Sequence, residues 1–191
     1  MPKTVDLAER DRIVSEAAWR VLVRDGLTEL SVRKVAAEAG IAPSSLRYTF
    51  PTQASVRDRA VALLVDRLER RVAAHAGRDG AGEHEARAVL LELLPLDDER
   101  RVEMEVSLAL GAMAMTDHAL WEAHQYAHRA IRSACTRALD LLGADPRDVG
   151  GTHALIDGLA LHLVRQAPDE GDGWARRALD AHIARLGTPE G

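Results

Sequence analysis

Between Ser31 and Phe50 the chain reads SVRKVAAEAGIAPSSLRYTF, and no other stretch constrains the fold as strongly. Val32, Val35, Ala36 and Ala39 recur at helical spacing and form one apolar face. Gly40 follows where a helix stop needs a residue tolerant of positive φ. Ile41 anchors the turn, Pro43 suits the first position of a second helix, and Leu46 and Phe50 continue the apolar side. Arg33, Lys34, Ser44, Ser45, Arg47, Tyr48 and Thr49 point outward, and all can donate hydrogen bonds. No carboxylate occurs between Glu38 and Asp58. Two short helices with this turn and an acid-free outer surface fit a helix-turn-helix that meets phosphates and base edges. An ordinary helical hairpin with a solvated face is the competing reading.

The rest of the chain reads as further helices. Pro51 fits the start of a long helix to about Ala76, with Val56, Ala60, Leu63, Leu64, Leu68 and Val72 as its apolar stripe. Gly77 to Gly82 interrupts it as a loop. A helix from about Glu83 to Leu94 ends at Pro95. Asp97 or Asp98 caps another to Met115, and Asp117 opens one that closes at Gly143. The expected fold is all-α with about nine helices: a three-helix unit over residues 1–50, joined by the long helix to a helical unit over 51–191.

Composition narrows the function. With 47% hydrophobic and 29% charged residues, the 191-residue chain is globular. Its one cysteine, Cys135, excludes an internal disulfide. No signal core opens the chain and no apolar run approaches the roughly 18 residues that span a bilayer, so a cytoplasmic protein without membrane partners is expected. The net charge of −5 argues against wholesale coating of nucleic acid, yet a sequence reader needs only a local basic surface. Lys3 and Lys34 are the only lysines; arginine suits bidentate contact with phosphate and guanine.

Thr152 to Gln166 is apolar nearly all round, with only Asp157 and Arg165 fully charged. A helix apolar on every side has to be buried on every side. Trp174 to Leu186 adds a second apolar stripe. Paired with the same two helices of another subunit, Leu155, Leu159, Leu163, Ala178, Leu179, His182 and Ile183 would form a four-helix interface. A helix covered by its own chain is the alternative.

Three segments, in order, resemble the DNA-binding domain of the tetracycline-repressor (TetR) family. Ile13 to Gly26 resembles the family's first helix and closing glycine. Ser31 to Ala36 with Ala39-Gly40-Ile41 resembles its support helix and turn. Leu46 to Gln53 resembles the end of the recognition helix and the start of the long connecting helix. The resemblance implies a dimeric transcriptional regulator, a repressor released from a near-palindromic double-stranded operator by a small molecule. It carries Ser31, Arg33, Lys34, Pro43, Ser44, Ser45, Arg47, Tyr48, Thr49 and Gln53 onto the DNA surface. Three positions depart from the common family pattern. Ala42 lacks the hydroxyl that often caps the recognition helix, Thr49 stands for tyrosine or histidine, and Gln53 stands for lysine.

The same resemblance makes 51–191 a sensing and dimerisation unit. It places Met104, Leu108, Met113, Trp121, His124, Tyr126 and His128 on the helices that enclose ligand pockets, which suits an apolar or partly aromatic effector. These residues could equally be ordinary core. His124 and His128 lie one turn apart, a spacing that two imidazoles on a metal can use, but no carboxylate or second cysteine stands nearby, so no metal or cofactor is expected. No nucleophile elbow, phosphate loop or dinucleotide fingerprint points to an enzyme. A helical interaction or metal-binding module with a degenerate DNA domain is the remaining alternative.

Overall fold

The computed structural model describes residues 7–76, 82–167 and 169–187. Among them are nine α-helices and no strand. They are α1 Leu7–Asp25, α2 Val32–Ala39, α3 Pro43–Thr49, α4 Gln53–Ala73, α5 Gly82–Leu91, α6 Asp98–Ala114, α7 Trp121–Leu142, α8 Val149–Arg165 and α9 Gly173–Leu186. The loop expected at 77–82 lies, Gly82 excepted, outside the described residues.

Local chemistry sets the helix ends. Gly26 leaves α1 at φ 85°, a conformation that favours glycine. Pro51 stands ahead of α4 rather than inside it. Thr52 caps that helix by accepting from the Ser55 amide at 3.0 Å, and Ser55 Oγ in turn accepts from the Thr52 amide at 3.2 Å. Asp97, not Asp98, caps α6 by accepting from the Arg100 amide at 2.8 Å. A short 3-10 turn, His118–Leu120, precedes α7 because Asp117 accepts from the Ala119 amide at 3.0 Å and tightens the start.

Three apolar clusters hold the helices together. In the first, Val14, Ala17, Trp19 and Leu22 of α1 meet Val35, Leu46 and the first half of α4, from Val56 to Leu64. Val102 and Val106 of α6 pack on its edge. The second and largest joins α5, α7, α8 and α9, with Val72 of α4. The third lies between α4, α6 and α7, around Val61, Val65, Leu110 and Ala127. The long helix therefore contributes to all three. Leu46 is fully buried; Leu46→Ala is expected to cost about 2–5 kcal/mol through lost contacts and the cavity left behind.

Candidate nucleic-acid interface and sensing groove

The reading unit is built by its caps. Ser31 holds an extended backbone and its Oγ accepts from the Lys34 amide at 3.3 Å, starting α2. Gly40 ends α2 in the left-handed region, and the Ile41 amide reaches back to the Ala36 carbonyl at 2.9 Å. Pro43 then opens α3, whose N-cap, Ala42, makes no side-chain bond. Leu46 and Phe50 turn inward, leaving Pro43, Ser44, Arg47, Tyr48 and Thr49 exposed together with Arg33 of α2. Tyr48 is 95% exposed, an unusual position for a large aromatic residue that nothing covers.

The remaining expected DNA contacts are engaged within the chain. Lys34 Nζ lies 2.9 Å from Glu29 Oε2 and 3.1 Å from Asp25 Oδ2, and those bonds raise its pKa, Glu29 first. Ser45 Oγ accepts from Arg10 at 2.6 Å, and the same guanidinium donates to the Ser45 carbonyl at 3.0 Å. Gln53 Nε2 donates to the Thr28 carbonyl at 3.3 Å. Arg10 is a residue that sequence reasoning missed. It fastens α3 to α1, and no local pattern could have paired positions 35 apart.

Two spaces in the helical body lie against both α6 and α7. A cavity of about 50 Å³ sits between α4, α6, α7 and the turn after α5, walled by residues such as Leu64, Leu68 and Ile131 and bordered by the charged Arg71, Glu92, Arg100 and Glu103. A wider groove of about 740 Å³ runs between α6, α7 and α8. Met104, Leu108, His124 and His128 line the groove, together with Asp157, Leu161 and Met115. Met104, Ser107 and Ile131 border both spaces.

The other three expected ligand residues lie elsewhere. Met113 packs on the third cluster. Trp121 and Tyr126, at 42% and 40% exposure, line neither the cavity nor the groove, although the Trp121 ring centroid stands 6.0 Å from that of His124.

His153 of α8 was not singled out by the sequence. Its ring centroid stands 4.4 Å from that of His128, which is 5.9 Å from that of His124. His153 is buried, and its Nε2 makes no hydrogen bond among the described residues, lying 3.7 Å from Asp157 Oδ1. Burial holds His124 and His153 below the usual imidazole pKa. No group of three or more His, Cys, Asp or Glu among the described residues is arranged to hold a metal ion.

The expected subunit interface needs correction. Leu159, Leu163, Leu179 and Ile183 are 6%, 2%, 0% and 2% exposed inside the chain's own second cluster, so the apolar face of α8 is covered from within. Leu155 and Ala178 are half-buried against that cluster, and His182 bonds Thr152 Oγ1 at 2.8 Å. Of the residues that α8 leaves exposed, Gly150, Gly151 and Ala154 are small, beside Asp157, His162 and Arg165, and a Cβ on Gly150 or Gly151 would meet nothing within 4 Å.

A tight helix-turn-helix on a helical body defines a class of DNA-binding regulator. Comparison with known proteins agrees. A family model described as bacterial regulatory proteins, tetR family, matches residues 14–60, and one described as BetI-type transcriptional repressor, C-terminal, matches residues 82–188. The HTH-type transcriptional regulator PksA of Bacillus subtilis is 31% identical over 97% of this chain and 94% of its own length. A transcriptional regulator from Rhodococcus sp. Rha1 superposes with a TM-score of 0.74 at 28% identity, covering 92% of this chain and 95% of its own. The multidrug binding protein EbrR, complexed with imidazole, does so with a TM-score of 0.67 at 25% identity, over 95% and 97%. The chain belongs to the TetR family and is a DNA-binding transcriptional regulator. No helix among its described residues is long and apolar enough to cross a membrane.

Proposed function

We propose that this regulator is a cytoplasmic, homodimeric repressor that a small molecule releases from a near-palindromic operator. Residues 1–50 form the reading head and 51–191 the sensing and dimerisation unit. Arg33, Pro43, Ser44, Arg47, Tyr48 and Thr49 meet the DNA, with Ser44 and Pro43 nearest the base edges and the others on phosphate. Lys34, Ser45 and Gln53 hold the head's own geometry. The effector, apolar or partly aromatic, occupies the groove between α6, α7 and α8, whose volume falls within the range of drug-sized sites. The neighbouring cavity is too small for such a ligand unless Met104 swings aside.

One observation carries the coupling: Leu64 of α4 is at once buried in the head's core and part of the cavity wall. Met104, Ser107 and Ile131 border both groove and cavity, so a ligand in the groove that displaces them shifts this wall and with it the head. Selection from a random DNA pool should return a two-fold symmetric site. A thermal-shift screen should then yield ligands that release it. Gly111→Leu fills the groove, because a Cβ there already stands 3.3 Å from His124 Cε1. It should abolish the shift, whereas Trp121→Ala should not. Ligands that bind Gly111→Leu as tightly as the wild type would place the effector site elsewhere.

A further inference from the structure

Arg67 of α4 serves neither the DNA surface nor the groove, yet its side chain is only 15% exposed. On one side it meets α1: its guanidinium carbon lies 4.8 Å from the Trp19 ring centroid, and Nη2 donates to Glu16 Oε2 at 3.1 Å. On the other it meets α6, with Nη1 3.7 Å from both Glu99 Oε1 and Glu103 Oε1. Glu103 is 5% exposed, borders the cavity, and takes two bonds from Arg71 at 2.7 and 3.3 Å.

The two arginines have different work. Arg71 binds Glu103 with both Nη atoms, the forked pairing that satisfies a buried carboxylate. Arg67 is therefore not required to neutralise Glu103. What it adds is a connection, since a planar guanidinium can stack on an indole and meet carboxylates at its edge together. Its partners belong to different bodies: Trp19 lies in the head's core, Glu103 in the wall of the cavity. Surface pairs such as Arg12–Glu9 join residues three apart and can orient nothing, whereas Arg67–Glu16 spans 51 positions.

We propose that Arg67 is a positioning residue for operator binding, a clamp that sets the angle of α1, and so of the whole reading head, on α6. With the clamp closed, the head of each subunit stands at the separation that its half-site requires. If the body senses an effector as proposed above, displacement of Glu103 by a shifted cavity wall opens the clamp. That clause rests on the effector reading; the clamp itself does not.

The test uses the full chain, the selected operator and no effector. Arg67→Met, Arg67→Lys, Glu103→Gln and the Arg67→Met/Glu103→Gln double variant are titrated at several salt concentrations. Arg67→Met and Glu103→Gln should each bind the operator roughly tenfold more weakly, the order of one coupling in a shared network. The salt slope should stay unchanged, because no phosphate contact is lost. The double variant should bind no worse than the weaker single variant, and Arg67→Lys should recover part of the loss. In a Trp121→Phe/Trp174→Phe background, Arg67→Met should also shift Trp19 emission. Wild-type affinity in both single variants, additive losses, or a salt slope shallower by about one charge would each overturn the clamp. Should Arg67→Met fail to fold, Arg67→Lys and Glu103→Gln carry the same comparison. Failure of the wild type to select any operator would instead count against the DNA surface.

Discussion

Arg47 and Lys34 show how a side chain's neighbours decide its role. Both are cations on the helix-turn-helix, but Lys34 is held by Glu29 and Asp25, while no hydrogen bond or ion pair engages Arg47 among the described residues. Replacing Arg47 by Ala should weaken specific and non-specific DNA together and flatten the salt slope by about one charge. Lys34→Ala should leave that slope nearly unchanged. Equal slopes for Arg47→Ala and the wild type would remove Arg47 from the interface. His153 yields a residue-scale prediction about acid. Burial lowers its pKa from 6.5; Asp157 opposes that shift, while His128 and Arg132 add to it. The unfolded chain therefore takes up protons, as pH falls below 6.5, that the fold refuses. Stability should be level above that value and decline below it, and His153→Gln should decline less steeply. Urea midpoints across that range decide the matter; a wild type that gains stability in acid would contradict the burial argument.

At the scale of the element, α3 is the weak point. Seven residues cannot sustain a helix alone. Its N-cap contributes nothing, so Leu46 below and Arg10 alongside hold it in place. Ala42→Ser should supply the missing cap and add about 1 kcal/mol, read as a higher melting temperature with operator specificity intact. An unchanged midpoint would mean that α3 melts apart from the rest. α4 shows the converse case. Its apolar stripe was legible from spacing alone, but its start was not. Thr52 and Ser55 form a reciprocal capping box, which displaced the boundary past Pro51.

At the scale of the whole molecule, assembly and symmetry are linked. Two heads related by a two-fold axis should read half-sites about 34–36 Å apart or a multiple of that. The open face of α8 offers Gly151 and Ala154, small residues that allow close approach of a second copy. Ala154→Arg should keep the helical signal, sediment as a monomer and lose operator binding in parallel. Leu159→Glu, by contrast, would bury a charge in the chain's own core and unfold it, so it cannot report on assembly. A wild type that sediments as a monomer while bound tightly to one half-site would exclude the dimer. Release by an effector needs a coupling of only about 1–3 kcal/mol, or roughly 5–150-fold in DNA affinity.

The sequence by itself determined the helices, their order and the helix-turn-helix, because helical periodicity, caps and turn glycines are local signals repeated along the chain; the family came from the resemblance of three segments in order. It also marked the exposed donors of α3, since Leu46 and Phe50 leave only one way for that helix to face. Only the tertiary structure decided which apolar residues of α8 and α9 turn inward, that Trp121 and Tyr126 miss the groove while His153 stacks beside His128, and that Lys34 and Ser45 are already engaged. Those outcomes depend on contacts between positions far apart, such as Arg10 with Ser45 and Arg67 with Glu16 and Glu103. Periodicity says which face of a helix is apolar; packing alone says what covers it.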